Sequence, residues 1–279
     1  MALSFDEISL DLLNPATSLG HATNDLEYRS FQGDLPGASD QSQWDLVITP
    51  SIPFPLSNGK NLVLSARIPV SFGEPTYFAD GTEYTQWRIR QFADTIPTDG
   101  EFFNGHGHLA DIGLKLVYGG ASDNNFIATY GLELVLTNSQ DGSVEKDQIL
   151  LGPEFALGKI TGWGIIGARV SHLTNITDPD DRDYEFDTNI SSLKFFFAYG
   201  LGNGWQVISN PVVEYDWEGA PGNKLALPIG VGVAKTARLG NMPFKAAIEI
   251  QKYLKNPDAF GPDWLLKFSF TPVFWDRSR

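Results

Sequence analysis

The strongest constraint on this chain is a period of two. From about Asp25 onward nearly every segment alternates apolar and polar residues, and only the stretch before it reads as helical. Trp44, Leu46, Ile48, Ile52 and Phe54 share one face against Asp45, Val47, Thr49 and Ser51. Leu62, Leu64, Ala66 and Ile68 oppose Ser65 and Arg67, and Ile112, Leu114, Leu116 and Tyr118 oppose Asp111, Gly113 and Lys115. The pattern recurs with Glu133, Glu154, Arg169, Lys194, Glu214, Lys245, Glu249 and Lys267 on the polar parity of later segments. Phe196 is an exception, a large apolar residue on the same parity as Lys194. With a first strand near Leu26 to Gln32 the count is about twelve, an even number that suits a closed antiparallel β-barrel.

Alternation also fits a soluble sandwich or small barrel, so the extent of the apolar face has to decide. Three segments carry an aromatic at both ends of that face: Trp44 and Phe54, Trp205 and Tyr215, Trp264 and Phe274. Ten residues at about 3.4 Å each, tilted by roughly 40°, project to about 25 Å, the height of the apolar band of an outer-membrane barrel between its aromatic girdles. Connections alternate as well. "PLSNGK", "GGASDNN", "KITG", "LGNG" and "RLGNMP" are short, whereas those at the other end, including the 73–105 stretch and "TDPDDRDYEFD", are mostly longer. Short periplasmic turns with longer extracellular loops are the transmembrane barrel pattern. The expected organisation is an N-terminal periplasmic segment or plug at 1–23, an all-β barrel over 24–275 with a long loop at 73–105, and a tail at 276–279.

Composition closes off other classes. A net charge of −14, from 34 acidic and 20 basic residues, leaves no basic block for nucleic acid. The absence of cysteine removes disulfides, thiolate metal sites and a cysteine nucleophile, and suits export. No apolar run is long enough for a transmembrane helix, and "MALSFDEISLDLL" lacks the regions of a signal peptide.

On this reading Arg67, Asp111, Lys115, Glu133, Glu154, Arg169, Lys194, Glu214, Lys245, Glu249 and Lys267 line the lumen, nearly balanced in sign, as ion pairs along a polar passage. In the N-terminal segment, Ser4 and Glu7 stand at capping-box spacing, with Phe5, Ile8 and Leu12 on one helical face. If the 73–105 loop folds inward, Trp87, Arg88 and Arg90 form a constriction; a surface hairpin is the alternative. Asp178, Asp180, Asp181 and Asp183 are oxygen ligands suited to Ca²⁺ or Mg²⁺, yet a solvated charge run is the better reading, so neither metal nor cofactor is expected. His106 and His108 lack the ligand set of a structural zinc site. Ser171 and His172 are sequence neighbours whose side chains point to opposite faces of a strand, so no catalytic pair and no enzyme is expected.

The stretches "WDLVITPSIPFPLSNGKNLVLSARIPV", "HLADIGLKL" and "NPVVEYDWEGAPGNKLALPIGVGVAKTARLGNMPFKAAIEIQKYLKNPDAFGPDWLLKFSFTPVF" resemble the outer-membrane proteins associated with the meta-pathway of phenol degradation, also labelled transporters or neuromedin U-like proteins. The resemblance runs from about Asn14 onward. It is most specific at the end, where "YDW", "LPIGVGV", an "LG" turn and "GPDW" follow in order. The 73–105 insertion and the "WDRSR" tail depart from it. The resemblance implies a Gram-negative outer membrane, with lipid and lipopolysaccharide as surroundings, and uptake of small hydrophobic or aromatic molecules. A non-transporting cell-surface barrel that uses its acidic loops is the alternative.

Overall fold

The computed structural model describes residues 3–78, 100–105, 107–137, 148–177 and 188–276. A short helix, α1 (Phe5–Asp11), precedes the strands β1 (Leu19–Gln32), β2 (Ser42–Pro55), β3 (Asn61–Ser71), β4 (Pro75–Phe78), β5 (Glu101–Asn104), β6 (His108–Leu109), β7 (Ile112–Ala121) and β8 (Phe126–Leu136). There follow β9 (Ile149–Thr161), β10 (Gly164–Asn175), β11 (Asn189–Gly202), β12 (Trp205–Ser209), β13 (Val212–Asp216), β14 (Leu225–Leu239), β15 (Met242–Lys255) and β16 (Gly261–Asp276). Each wall strand pairs antiparallel with its neighbours in sequence, and β1 pairs with β16, so the sheet has no free edge. β6 and β7 both pair with β3 as one broken wall strand, and β12 and β13 do the same between β11 and β14. The result is a closed antiparallel barrel of twelve strands. The β4–β5 hairpin stands outside the sheet.

Closure satisfies the backbone, which is what lets a sheet stand in hydrocarbon. The outward parity is mostly apolar and at least partly exposed: Leu132 is 55%, Leu157 59% and Val231 55% open, with Trp44, Trp205 and Trp264 toward the ends of the band. A charge on this face near the bilayer midplane would cost about 2–4 kcal/mol. At one end the strands are joined by tight turns, such as Asn203–Gly204, where φ of +53° and +78° requires residues that tolerate the left-handed region. The opposite end carries the longer connections.

β1 begins at Leu19, well before the expected start near Leu26. Its early outward positions are Ala22 and Asn24, which supply no large apolar signal. Asn24 instead donates its side-chain amide to the carbonyls of Ala22 and Phe270. The second irregularity is the break between β12 and β13 at Asn210–Pro211. Proline has no N–H to give to a ladder, and the Asn210 N–H turns to Glu249 Oε1 at 2.8 Å.

The helix lies inside the short-turn end of the barrel. Leu10 and Leu13 pack against Ile127, Ala156, Ile165, Phe196, Ala198, Ile208 and Ala234, contributed by six different wall strands. Ile8 and Leu12 pack with Leu19 and Val273. Both halves of the Ser4–Glu7 capping box form, which satisfies N–H groups that a seven-residue helix leaves unpaired. Past the helix, Asp11 Oδ2 accepts from Thr17 Oγ1, Ser18 N and Ser18 Oγ, folding the chain back toward β1.

Candidate functional site in the barrel lumen

Register places the lumenal residues in tiers. Farthest from the helix, Arg29 on β1 forms ion pairs with both Glu27 and Asp45. Glu27 and Asp45 are cross-strand partners, so without Arg29 two carboxylates would face each other. At this level Arg67 and Glu214 are exposed although they face the interior, so the barrel is wide enough there to hold water. Glu214 lies in the field of Arg29 and Arg67. Asp111 sits at the break between β6 and β7, on the long-connection end.

In the middle tier Lys115 reaches Glu133 at 3.2 Å and Glu154 at 2.6 Å, and Arg169 Nε shares Glu154 at 3.3 Å. Glu154 is 1% open, whereas Lys115 and Arg169 remain partly wetted at 16% and 27%. Lys194 faces Arg169 across the β10–β11 pair and is half-buried. Lys267 is 3.9 Å from Glu249. Glu249 is closed on every other side: it accepts from Asn210 N, Asn210 Nδ2 and Gln251 Nε2, at 2.8, 3.1 and 3.0 Å.

Toward the helix the lumen dries out. Lys245 is 7% open and donates from Nζ to the carbonyl of Ser9 at 3.4 Å, tying β15 to α1. Gly204 N donates to Asp6 Oδ1 at 2.7 Å, Asn61 Nδ2 to the Ala16 carbonyl at 2.9 Å, and the Arg238 guanidinium lies over the Phe5 ring. Phe196, the exception in the alternation, belongs here. Its ring points inward over Gly167 and Gly158, where an added Cβ would stand 2.1 and 2.9 Å from ring carbon Cζ. Ser9 Oγ, Thr129 Oγ1, Gln206 Oε1 and Thr236 Oγ1 are buried around this region without a hydrogen-bond partner among the described residues.

The polar parity thus brings ten of the expected lining residues together, with Asp111 at their upper end. Asp25, Glu27, Arg29, Asp45 and Tyr253 were missed. Of these only Asp25 precedes the expected first strand, in the part of β1 that lacks apolar partners; Glu27 and Arg29 lie inside it, beside Leu26 and Tyr28. Trp87, Arg88 and Arg90, and Asp178, Asp180, Asp181 and Asp183, lie outside the described residues, as does His106. His108 is 3.7 Å from Glu74. Among the described residues no group of three His, Cys, Asp or Glu could hold a metal ion. The alternation separates Ser171 from His172, but His172 Nδ1 meets Ser191 Oγ on the neighbouring strand at 2.9 Å. Ser191 Oγ also accepts from the Trp217 indole at 3.0 Å. No carboxylate bonds His172 among the described residues, so the orienting third member of a triad is missing from this pair.

At the long-connection end four rings form a ladder. Phe31 stacks on Phe260 at 4.6 Å, Phe260 meets Phe102 at 4.7 Å, and Phe102 meets Tyr77 at 5.0 Å. This ladder pins the β4–β5 hairpin to the rim.

No family model matches the chain, and no curated protein matches it in sequence. Solved structures do. An outer-membrane channel from Pseudomonas putida F1 is similar with a TM-score of 0.59 at 11% identity, over 92% of this chain and 96% of that one. The NanC porin is similar with a TM-score of 0.51 at 8% identity, over 90% and 99%. At such identities the likeness is one of fold, and the fold shared is the closed porin-like barrel of outer-membrane proteins.

Proposed function

We propose that the protein is a Gram-negative outer-membrane channel for small molecules, with its lumen as the path and residues 3–18 as a displaceable periplasmic plug. The observation that carries this reading is the wetted interior: Arg67 and Glu214 are exposed within the wall, and Lys115, Arg169 and Lys267 are partly so. A barrel filled for stability alone would pack these positions with side chains. The plug reading is supported by the seat itself, where Thr129, Gln206 and Thr236 present polar atoms that an apolar helix leaves unpaired and water would satisfy. The lumenal residues anticipated from sequence would line the passage. The outward band would meet membrane lipid, and the longer connections would face lipopolysaccharide. Hydrophobic or aromatic solutes are the class we favour, on the aromatic ladder at the rim and the resemblance to the phenol meta-pathway proteins.

The test is solute-driven swelling of proteoliposomes, using the full chain and a variant lacking residues 3–18. Slow swelling with the full chain should become at least about tenfold faster in the truncated barrel, because its narrowest section is then lined by side chains alone. If both forms stay sealed to a series of small neutral and aromatic solutes, the channel assignment is wrong.

A further inference from the structure

One lumenal cation stands apart from the network around it. Arg169 and Lys194 are direct partners across β10 and β11 with both side chains inward, a like-charge pair that ordinarily destabilises a sheet. The acidic counterpart, Glu27 and Asp45, is reconciled by Arg29, which pairs with both. Among the described residues no carboxylate does the same for Arg169 and Lys194. Arg169 has Glu154, which Lys115 shares. Glu249 is taken by the two Asn210 donors, Gln251 and Lys267. Lys194 makes no salt bridge or hydrogen bond among the described residues. The acid that acts on it, Asp25, does so beyond salt-bridge distance, and Lys194 also lies in the field of Arg169, Lys267 and Lys115. Lys194 as a residue is nevertheless partly exposed, on the inward face of the wetted middle tier.

We propose that Lys194, with Arg169 beside it, forms a lumenal binding subsite for a small organic carboxylate. The ammonium and the free edge of the guanidinium supply charge-assisted N–H donors to the two carboxylate oxygens. Asp25 opposes the bound anion and keeps it weakly held, which a transit site requires, since a solute must leave as well as enter. The inference rests on reading the lumen as a solute path.

Equilibrium dialysis of the full chain in detergent tests it, with benzoate as the probe and benzyl alcohol as its neutral counterpart. Benzoate should bind saturably, and K194A should weaken that binding by about tenfold or more, as loss of a charge-assisted contact does. K194R, which keeps the charge, should retain it, and D25N should tighten it. Benzyl alcohol should not distinguish K194A from the parent. Because K194A relieves a repulsion, its barrel should fold, and heat-modifiable migration checks this. Benzoate binding that is absent from the parent or undiminished in K194A overturns the proposal. The two readings fail separately: saturable binding in a barrel that passes nothing defeats the channel, whereas flux that ignores both charge and K194A defeats the subsite.

Discussion

The two ends of the lumen are built from the same alternating strands and behave differently. In the half toward the long connections the inward positions include Arg29, Arg67, Lys115, Arg169 and Glu214, charged and at least partly wetted. In the half toward the short turns they include Ile127, Ile165, Phe196, Ala198 and Ala234, none more than 4% open. The wall thus changes from a surface for water to a seat for the N-terminal segment. The lesson concerns partners: charged side chains are tolerated inward where water or ion pairs compensate them, and the apolar ones cluster where Leu10 and Leu13 can cover them.

Glu249 lies on the seam between these halves, and removing it should have the largest effect. Glu249→Ala leaves the Asn210 N–H, its side-chain amide and Lys267 without their acceptor in a nearly closed site. We expect a loss of about 2–4 kcal/mol, read as a lower urea midpoint for heat-modifiable migration. A midpoint within error of the parent would mean that the seam is wetted like the upper half.

The seat comes next. Gly167→Ala would place a Cβ 2.1 Å from the Phe196 ring and 2.5 Å from the Leu157 carbonyl oxygen. Overpacking of this kind costs about 1–3 kcal/mol and should push the ring toward the helix, raising the swelling rate. Phe196→Leu in the same background should recover part of both. If the double variant behaves like the single one, the cost lies in the backbone contact rather than the ring.

The smallest effect belongs to the N-terminal helix's own cap. Ser4→Ala removes an N-cap contributing about 1 kcal/mol and should modestly increase the open fraction. The bonds from the Ser4 N–H and hydroxyl side hold the Glu7 carboxyl below the usual carboxylate range. With the pKa lowered in the folded state, the contribution is complete above the ordinary carboxylate value and disappears as pH falls through the lowered one. Full-chain conductance should therefore rise on acidification in that window, and Glu7→Gln should flatten the rise. A pH response unchanged by Glu7→Gln would detach the cap from plug seating.

Much of the wall was legible in advance. Alternation assigns a residue to a face with no knowledge of its neighbours, because successive Cβ atoms on a strand point to opposite sides. Arg169 therefore falls on the polar parity, and Phe196 stands out as a departure from it. The early part of β1 was hidden because Ala22 and Asn24 show no apolar signal, and with it went Asp25. The pairings themselves were not legible: Glu154 joins Lys115 and Arg169 from separate strands, and Glu249 reaches Asn210, 39 positions away.

By itself the sequence determined the all-β class, the apolar band, the polar parity opposite it and the unequal connections, since each follows from local periodicity and spacing. Tertiary structure decided which charges neutralise one another, which cation is left facing its like, and where the N-terminal helix comes to rest. Those outcomes depend on register and ring closure, which set remote residues side by side at distances that a pattern along one strand does not encode.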